Sequence, residues 1–298
     1  MTDRAAPWVD RPSLGVALML GFCALAPLSD AVSKLLTADF PVLQLVAVRF
    51  LAQAILLAPL VYATGRSWRM SRLGWILTAA RTFLQIAGIW LMVTGLIWLP
   101  LADAIAIAFV MPFILLLFGH LLLGEEVGPR RLTACAIGFL GTLLVVQPSF
   151  AAVGWPAFYP LGVAFVFAAF MLVTRRVARE ADPLAMQAAS GAMATAGLAL
   201  VYAVLPRAGA FDLAPVADHG PLLLTMALLG TGAHLMMTWS LRYAPASTLA
   251  PMQYLEIPMA AIIGLALFGD FPNPMAMAGI GVTIATGLYI LWRERGSA

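Results

Sequence analysis

Charge is what this sequence has least of. Only 10% of its 298 residues are Asp, Glu, Lys or Arg, where a soluble domain has about 25%. Too little polar side chain remains to coat a water-soluble globule of this length. Cysteine is nearly absent as well. Cys23 and Cys135 both fall within apolar runs, where small-residue packing is the expected role and a disulfide or metal pair is not. No H-E-x-x-H zinc spacing occurs, and no Gly-rich phosphate loop of the P-loop type. No cofactor or metal is expected, therefore, and an ATP-driven motor within this chain is excluded. The net charge of +3 bears on membrane orientation and not on nucleic acid.

What fills the chain instead is hydrocarbon: 62% of the residues are hydrophobic. Apolar stretches of about 20 residues recur throughout, each long enough to cross about 30 Å of bilayer core at about 1.5 Å per residue. None alternates with period two, so a β-barrel is excluded and the spans are helices, whose backbone groups are satisfied internally. The first run continues from Leu14 to Leu36, beyond the about 7–15 apolar residues of a signal peptide. The expected fold is all-α, with ten spans near 14–36, 41–64, 73–97, 100–123, 130–147, 155–175, 183–205, 219–243, 245–269 and 273–292. Gly and Pro punctuate the boundaries, as in "GPRR" at Gly128, "EADP" at Glu180 and "FPNP" at Phe271.

Basic residues then set the orientation. With the N-terminus inside, one face collects Arg4, Arg11, Arg66, Arg69, Arg72, Arg130, Arg131, Arg175, Arg176, Arg179, Arg242, Arg293 and Arg295. The opposite face receives only Lys34 and Arg207, and Arg49 and Arg81 stay within spans. The positive-inside rule puts both termini in the cytoplasm.

The chain also repeats itself. Laying Leu96 over Leu241 brings Pro100 over Pro245, Gly119 over Gly264, Leu122 over Leu267, Gly124 over Gly269, Pro129 over Pro274 and Glu125 over Asp270. The expected units are residues 12–150 and 151–295, each with five spans. Five is odd, so the halves enter the membrane in opposite directions, as in carriers that rock one half against the other around a central cavity.

The stretches "LPLADAIAIAFVMPFILLLFGHLLLGEE" and "RYAPASTLAPMQYLEIPMAAIIGLALFGD" resemble the paired hallmark segments of the EamA family in the drug/metabolite transporter superfamily. "FPVLQLVAVRF", with Arg49 and Phe50, is similar to the family's second-span motif, and Lys34 stands where the family closes its first span with a basic residue. Asp270 departs from the usual Glu. Within the family the chain is most similar to YddG-type exporters of aromatic and other neutral amino acids. The resemblance implies a multi-pass carrier of the bacterial inner membrane for a small organic solute.

Polar residues inside the spans are the candidate site, because an ionised group at mid-membrane costs roughly 2.5–3.5 kcal/mol on insertion scales. Glu256 must face a wet cavity, meet a partner or carry a proton. Gln253 precedes it by one helical turn, and Tyr254 lies between them. Arg81 and Gln85 share a face of the third span, where a guanidinium could fork onto a substrate carboxylate or hold a structural acid. His234 and Thr238 share a face of the eighth, with Trp239 beside them. These eight are the expected substrate contacts. Asp30 and Lys34 on the first span, with Arg49 and Gln53 on the second, form a gate or structural charge cluster, built on an Asp30–Arg49 or Asp30–Lys34 bridge.

A rival class is an intramembrane enzyme built on Ser190 and His234, but no orienting acid accompanies that pair. The expectation is a carrier and not an enzyme: an exporter of neutral, aromatic amino acids, with another small metabolite, a nucleoside-derived solute or quaternary amine, as the alternative. Its partners are then the substrate and the lipid bilayer, with no nucleic acid, and the sequence leaves the oligomeric state open, a monomer included.

Overall fold

The computed structural model describes residues 11–111, 153–178, 181–204, 216–244 and 252–295, with individual positions between these segments. Every regular element among the described residues is helical. In chain order these are α1 (Pro12–Leu36), α2 (Val42–Ala63), α3 (Arg72–Leu96), α4 (Leu101–Ala108), a 3-10 turn (Trp155–Ala157), α5 (Phe158–Ala178), α6 (Pro183–Val204), α7 (Val216–Tyr243), α8 (Glu256–Phe268) and α9 (Pro274–Arg295). Six of them, α1 to α3 and α5 to α7, are long and apolar enough to cross a membrane.

Local chemistry explains the boundaries. Pro12 opens α1, where its missing N–H costs nothing. Ser71 caps α3 by accepting a hydrogen bond from the Gly74 amide at 2.9 Å, and Asn273 does the same for α9 through the Ala276 amide at 2.9 Å. Gly269, at φ +70°, ends α8 in the left-handed conformation, and the Asp270 amide returns to the Gly264 carbonyl at 3.2 Å.

Two expected spans differ in form. The stretch 100–123 is helical only to Ala108 before a turn at Phe109–Val110, and 245–269 turns at Tyr254–Leu255 before α8 begins. Pro258 has no N–H to offer the Tyr254 carbonyl, which the Ile257 amide approaches at 3.3 Å in a tighter turn. Glu256 is thus the first residue of a half-helix and not the middle of a continuous one. More than half of the expected span 130–147 lies outside the described residues. So do Arg4, Gly119, His120, Leu122, Gly124, Glu125, Pro129, Arg130, Arg131, Cys135, Arg179, Arg207 and Pro245.

The helices pack in reciprocal pairs. The most extensive contacts run α1 along α7, α3 along α5 and α2 along α6, with α4 against α8. α1 touches α8 as α5 touches α4. Close crossings use small residues. A Cβ on Gly191 would lie 2.9 Å from the Ala54 amide nitrogen of α2, and one on Gly15 would lie 2.7 Å from the Ala244 Cβ.

Polarity is turned inside out relative to a soluble protein. Ile55 is 62% exposed and Phe83 69%, while Arg81, Gln187 and Gln253 are all at 0%. Such an exterior suits acyl chains.

The bundle has two distinguishable ends. At the Pro12 end the Arg11 amide donates to the Tyr243 carbonyl at 3.3 Å, and Asp182 receives Arg66 at 2.6 Å and Arg242 at 3.8 Å. At the Leu36 end His219 pairs with Asp39 at 3.2 Å, and Lys34 with Asp270 at 3.7 Å.

Candidate functional site: a polar cavity walled by aromatic rings

A cavity opens among α1, α3, α4, α5, α7 and the start of α8, with about 790 Å³ of space, its open mouth included. Its polar lining is Asp30, Arg49, Gln85, His234, Gln253 and Glu256. Six residues singled out as unfavourable in hydrocarbon therefore converge on one void. Each is contributed by a different element: α1, α2, α3, α7, the turn before α8, and the first residue of α8.

Arg49 is 4% exposed, and its Nη2 lies 3.3 Å from His234 Nδ1. The same Nδ1 lies 3.1 Å from the Gly230 carbonyl, so it accepts from Arg49 in one tautomer and donates to Gly230 in the other. The approach requires glycine on α7: a Cβ at Gly230 would stand 2.5 Å from the Arg49 guanidinium carbon. Gln253 is fully buried, and neither its Oε1 nor its Nε2 has a hydrogen-bond partner among the described residues; Gln85 Oε1 has none either.

Rings complete the wall. Phe22 stacks on Phe167 with centroids 6.4 Å apart, and Phe167 on Phe170 at 5.5 Å. His234 meets Phe22 and Phe170 edge-on at 6.2 and 6.1 Å. Phe109 lines the cavity from α4 and packs on Tyr254 at 5.3 Å. Phe22, Phe167 and Phe170 were not singled out from sequence. Their only sequence signal is the helical spacing of Phe167 and Phe170, which lipid-facing and packing residues share.

The remaining expected contacts lie elsewhere. Arg81 sits one turn below Gln85, toward the Pro12 end, and is excluded from the cavity. It donates through Nε to Thr174 Oγ1 at 2.9 Å, through Nη1 to Ser190 Oγ at 2.7 Å, and through Nη2 to Gln187 Oε1 at 2.5 Å and Thr238 Oγ1 at 3.3 Å. Its guanidinium carbon stands 4.8 Å from the centroid of the Phe170 ring, which separates it from the void. Gln53 donates to the Gln187 carbonyl at 2.7 Å and extends this network to α2. Thr238 is consumed here, Trp239 is half-buried outside the lining, and Tyr254 packs on Phe109. Ser190 is held by Arg81, while His234 faces Arg49.

Neither bridge expected of Asp30 forms among the described residues. Lys34, at the helix end, reaches the Leu99 carbonyl at 2.8 Å and the Asp270 carboxylate instead. Arg49 turns to His234. Asp30 keeps its carboxylate for the cavity.

The comparisons with known proteins agree with this architecture. The EamA-like transporter family model matches the chain twice, over residues 13–147 and 154–292. The chain belongs to the EamA-like transporter family. With six apolar spanning helices it is a multi-pass membrane transporter, and the bacterial inner membrane fits. Among EamA relatives, a riboflavin transporter of Rhizobium johnstonii is 30% identical over 72% of this chain and 69% of its own. A riboflavin transporter of Brucella anthropi is 24% identical over 84% and 88%. An S-adenosylmethionine uptake transporter of Rickettsia prowazekii is 23% identical over 95% and 94%. A solved crystal structure superposes with a TM-score of 0.67 at 17% identity, covering 96% of this chain and 99% of that one, a likeness of fold alone. These relatives overturn the kinship with YddG-type amino-acid exporters. They also point to a transporter and away from an enzyme.

Proposed function

We propose that the chain carries a small heteroaromatic, nucleoside-like metabolite across the bacterial inner membrane by alternating access. Residues 12–150 and 151–295 act as two inverted five-helix halves, with both termini in the cytoplasm. The observation that carries the reading is the cavity. Ionisable and amide side chains from six elements meet phenyl rings in one void, the combination of largely apolar walls and a few convergent polar groups that small-molecule sites show. Its relatives' names supply the substrate class. Riboflavin and S-adenosylmethionine share a flat fused heterocycle joined to a hydroxylated chain or ring, and the rings here offer such a plane its stacking partners. Two carboxylates and one guanidinium do not single out an amino acid, so the solute alternative fits better than the amino-acid exporter.

The reciprocal helix pairs and the two half-helix turns support the two-half mechanism, since discontinuous helices at the repeat interface are where carriers hold solutes. Arg81 and its neutral partners form the seal at the Pro12 end, while the cavity lies toward the Leu36 end. Asp30, Arg49, Gln85, His234, Gln253 and Glu256 are the proposed contacts.

The test is flux into proteoliposomes of purified protein, with labelled riboflavin, S-adenosylmethionine and adenosine. Saturable uptake and counterflow of at least one solute are expected. A non-saturating conductance, or transport of aromatic amino acids alone, would overturn the reading.

A further inference from the structure

Gln253 is an anomaly. It is the most deeply buried polar group of the cavity lining, at 0% exposure, yet both ends of its amide lack a partner. Leaving a buried donor or acceptor unmade costs about 1–3 kcal/mol each. The other large polar side chains buried to the same degree are spoken for: Arg81 by four acceptors, Gln187 by Arg81 and Gln53. The fold thus satisfies the Gln187 amide and leaves that of Gln253, beside the void, without a partner.

We infer that Gln253 reads the hydrogen-bonding edge of the transported heterocycle. This rests on the heteroaromatic reading above. A carboxamide presents one acceptor and one donor side by side in a plane. Its complement is a ring edge carrying an adjacent donor and acceptor, such as the imide of a flavin or the N6/N7 edge of adenine, the pairing Gln makes with adenine elsewhere. A carboxylate, an ammonium or an aliphatic chain offers only half of that pattern, or none.

The backbone fixes the amide in place. Gln253 directly precedes the turn at Tyr254–Leu255, and the Tyr254 ring is pinned against Phe109. Gln85 lines the same void with its own Oε1 unpartnered and supplies a second acceptor for a ring N–H or amino group. Phe109, Phe167 and Phe170 line the same void with aromatic rings. Stacking admits any flat ring, and the amide then selects among them.

The experiment compares riboflavin with N3-methylriboflavin, which keeps the plane and loses the imide N–H, as competitors of uptake in proteoliposomes. The wild-type protein should prefer the parent by roughly ten- to hundredfold, because a site built to hydrogen-bond a group rejects the analogue lacking it. Adenosine and N6,N6-dimethyladenosine form the parallel pair. In Gln253→Met, of similar volume, both members of each pair should compete within about twofold, with the melting temperature in detergent as a control for folding. Gln253→Glu keeps the shape and the acceptor for the ring N–H and should keep the preference for the unmethylated member of each pair. If the Met variant folds and keeps the wild-type preference, or the Glu variant folds and loses it, the inference is wrong while the carrier reading stands. If the wild-type protein binds none of the four solutes, the substrate reading fails and the inference falls with it.

Discussion

Phe109 and Tyr254 pack their rings at a tilt of 39° with centroids 5.3 Å apart, and each stands at the point where its helix breaks. The register that lays Leu96 over Leu241 also lays Phe109 over Tyr254. The contact therefore joins corresponding positions of that sequence register, one in each of the two stretches that match the family model. An aromatic pair contributes about 0.5–1.5 kcal/mol beyond its area. A double-mutant cycle of Phe109→Leu and Tyr254→Leu, read from unfolding in detergent, should return a coupling of that size. Additive effects would show that the contact carries no energy of its own.

Arg81→Met should slow transport without weakening solute binding. The guanidinium does not line the cavity, and it joins α3 to α5, α6 and α7. Hydrogen bonds to a charged group are worth about 1.5–3 kcal/mol each. Losing even one from the sealed state shifts the conformational balance by roughly tenfold or more. Turnover should fall by about that factor while the equilibrium Kd holds within twofold. A Kd that weakens in step with turnover would return Arg81 to the binding site.

Glu256→Gln and Asp30→Asn test the cavity acids. Both are isosteric, and neither carboxylate has a hydrogen-bond partner among the described residues whose loss would unfold the bundle. Flux should drop at least tenfold, equivalent to about 1.4 kcal/mol, with folded yield little changed. Undiminished transport in both variants would remove the carboxylates from the mechanism.

Two glycines should respond differently to alanine. At Gly191 the new Cβ would meet the backbone of α2, at 2.9 Å from the Ala54 nitrogen, and neither helix can yield without repacking. Overpacking of this kind costs about 1–3 kcal/mol. At Gly230 the Cβ meets the end of a flexible side chain, Arg49. Gly191→Ala should lower the melting temperature more, whereas Gly230→Ala should leave the fold and impair transport by moving Arg49 off His234. The reverse order would contradict the packing described.

Asp182 separates a cap from an ion pair. Its Oδ1 accepts from the Leu184 and Ala185 amides at 2.9 and 3.2 Å, and its Oδ2 receives Arg66. Asn keeps the cap and loses an exposed pair worth about 0.2–1 kcal/mol. Ala loses the cap as well, about 1 kcal/mol more. Stability should therefore rank wild type, Asn, Ala, and the first step should shrink at high salt.

Much of the cavity was legible because polar groups have few reasons to sit in hydrocarbon. Asp30, Gln85, His234, Gln253 and Glu256 were picked on that ground, and all of them line one void. Arg81 was misread for a geometric reason. It shares a helical face with Gln85, but one turn along the axis separates the cavity from the closed end. Its acceptors Thr174 and Ser190 look like ordinary span residues until the fold assembles them. Lys34 was paired with the nearest acid in sequence, whereas a long side chain at a helix end finds a loop carbonyl and Asp270. The helix breaks were hidden because a proline in a span signals a bend without saying where the backbone yields. The substrate class stayed beyond reach, since charges of both signs welcome many solutes.

Phe170 touches the void on one side and the Arg81 guanidinium on the other. If the proposed carrier reading holds, cargo leaning on that ring would press on the guanidinium behind it, and a solute too small to reach the ring would leave that network undisturbed.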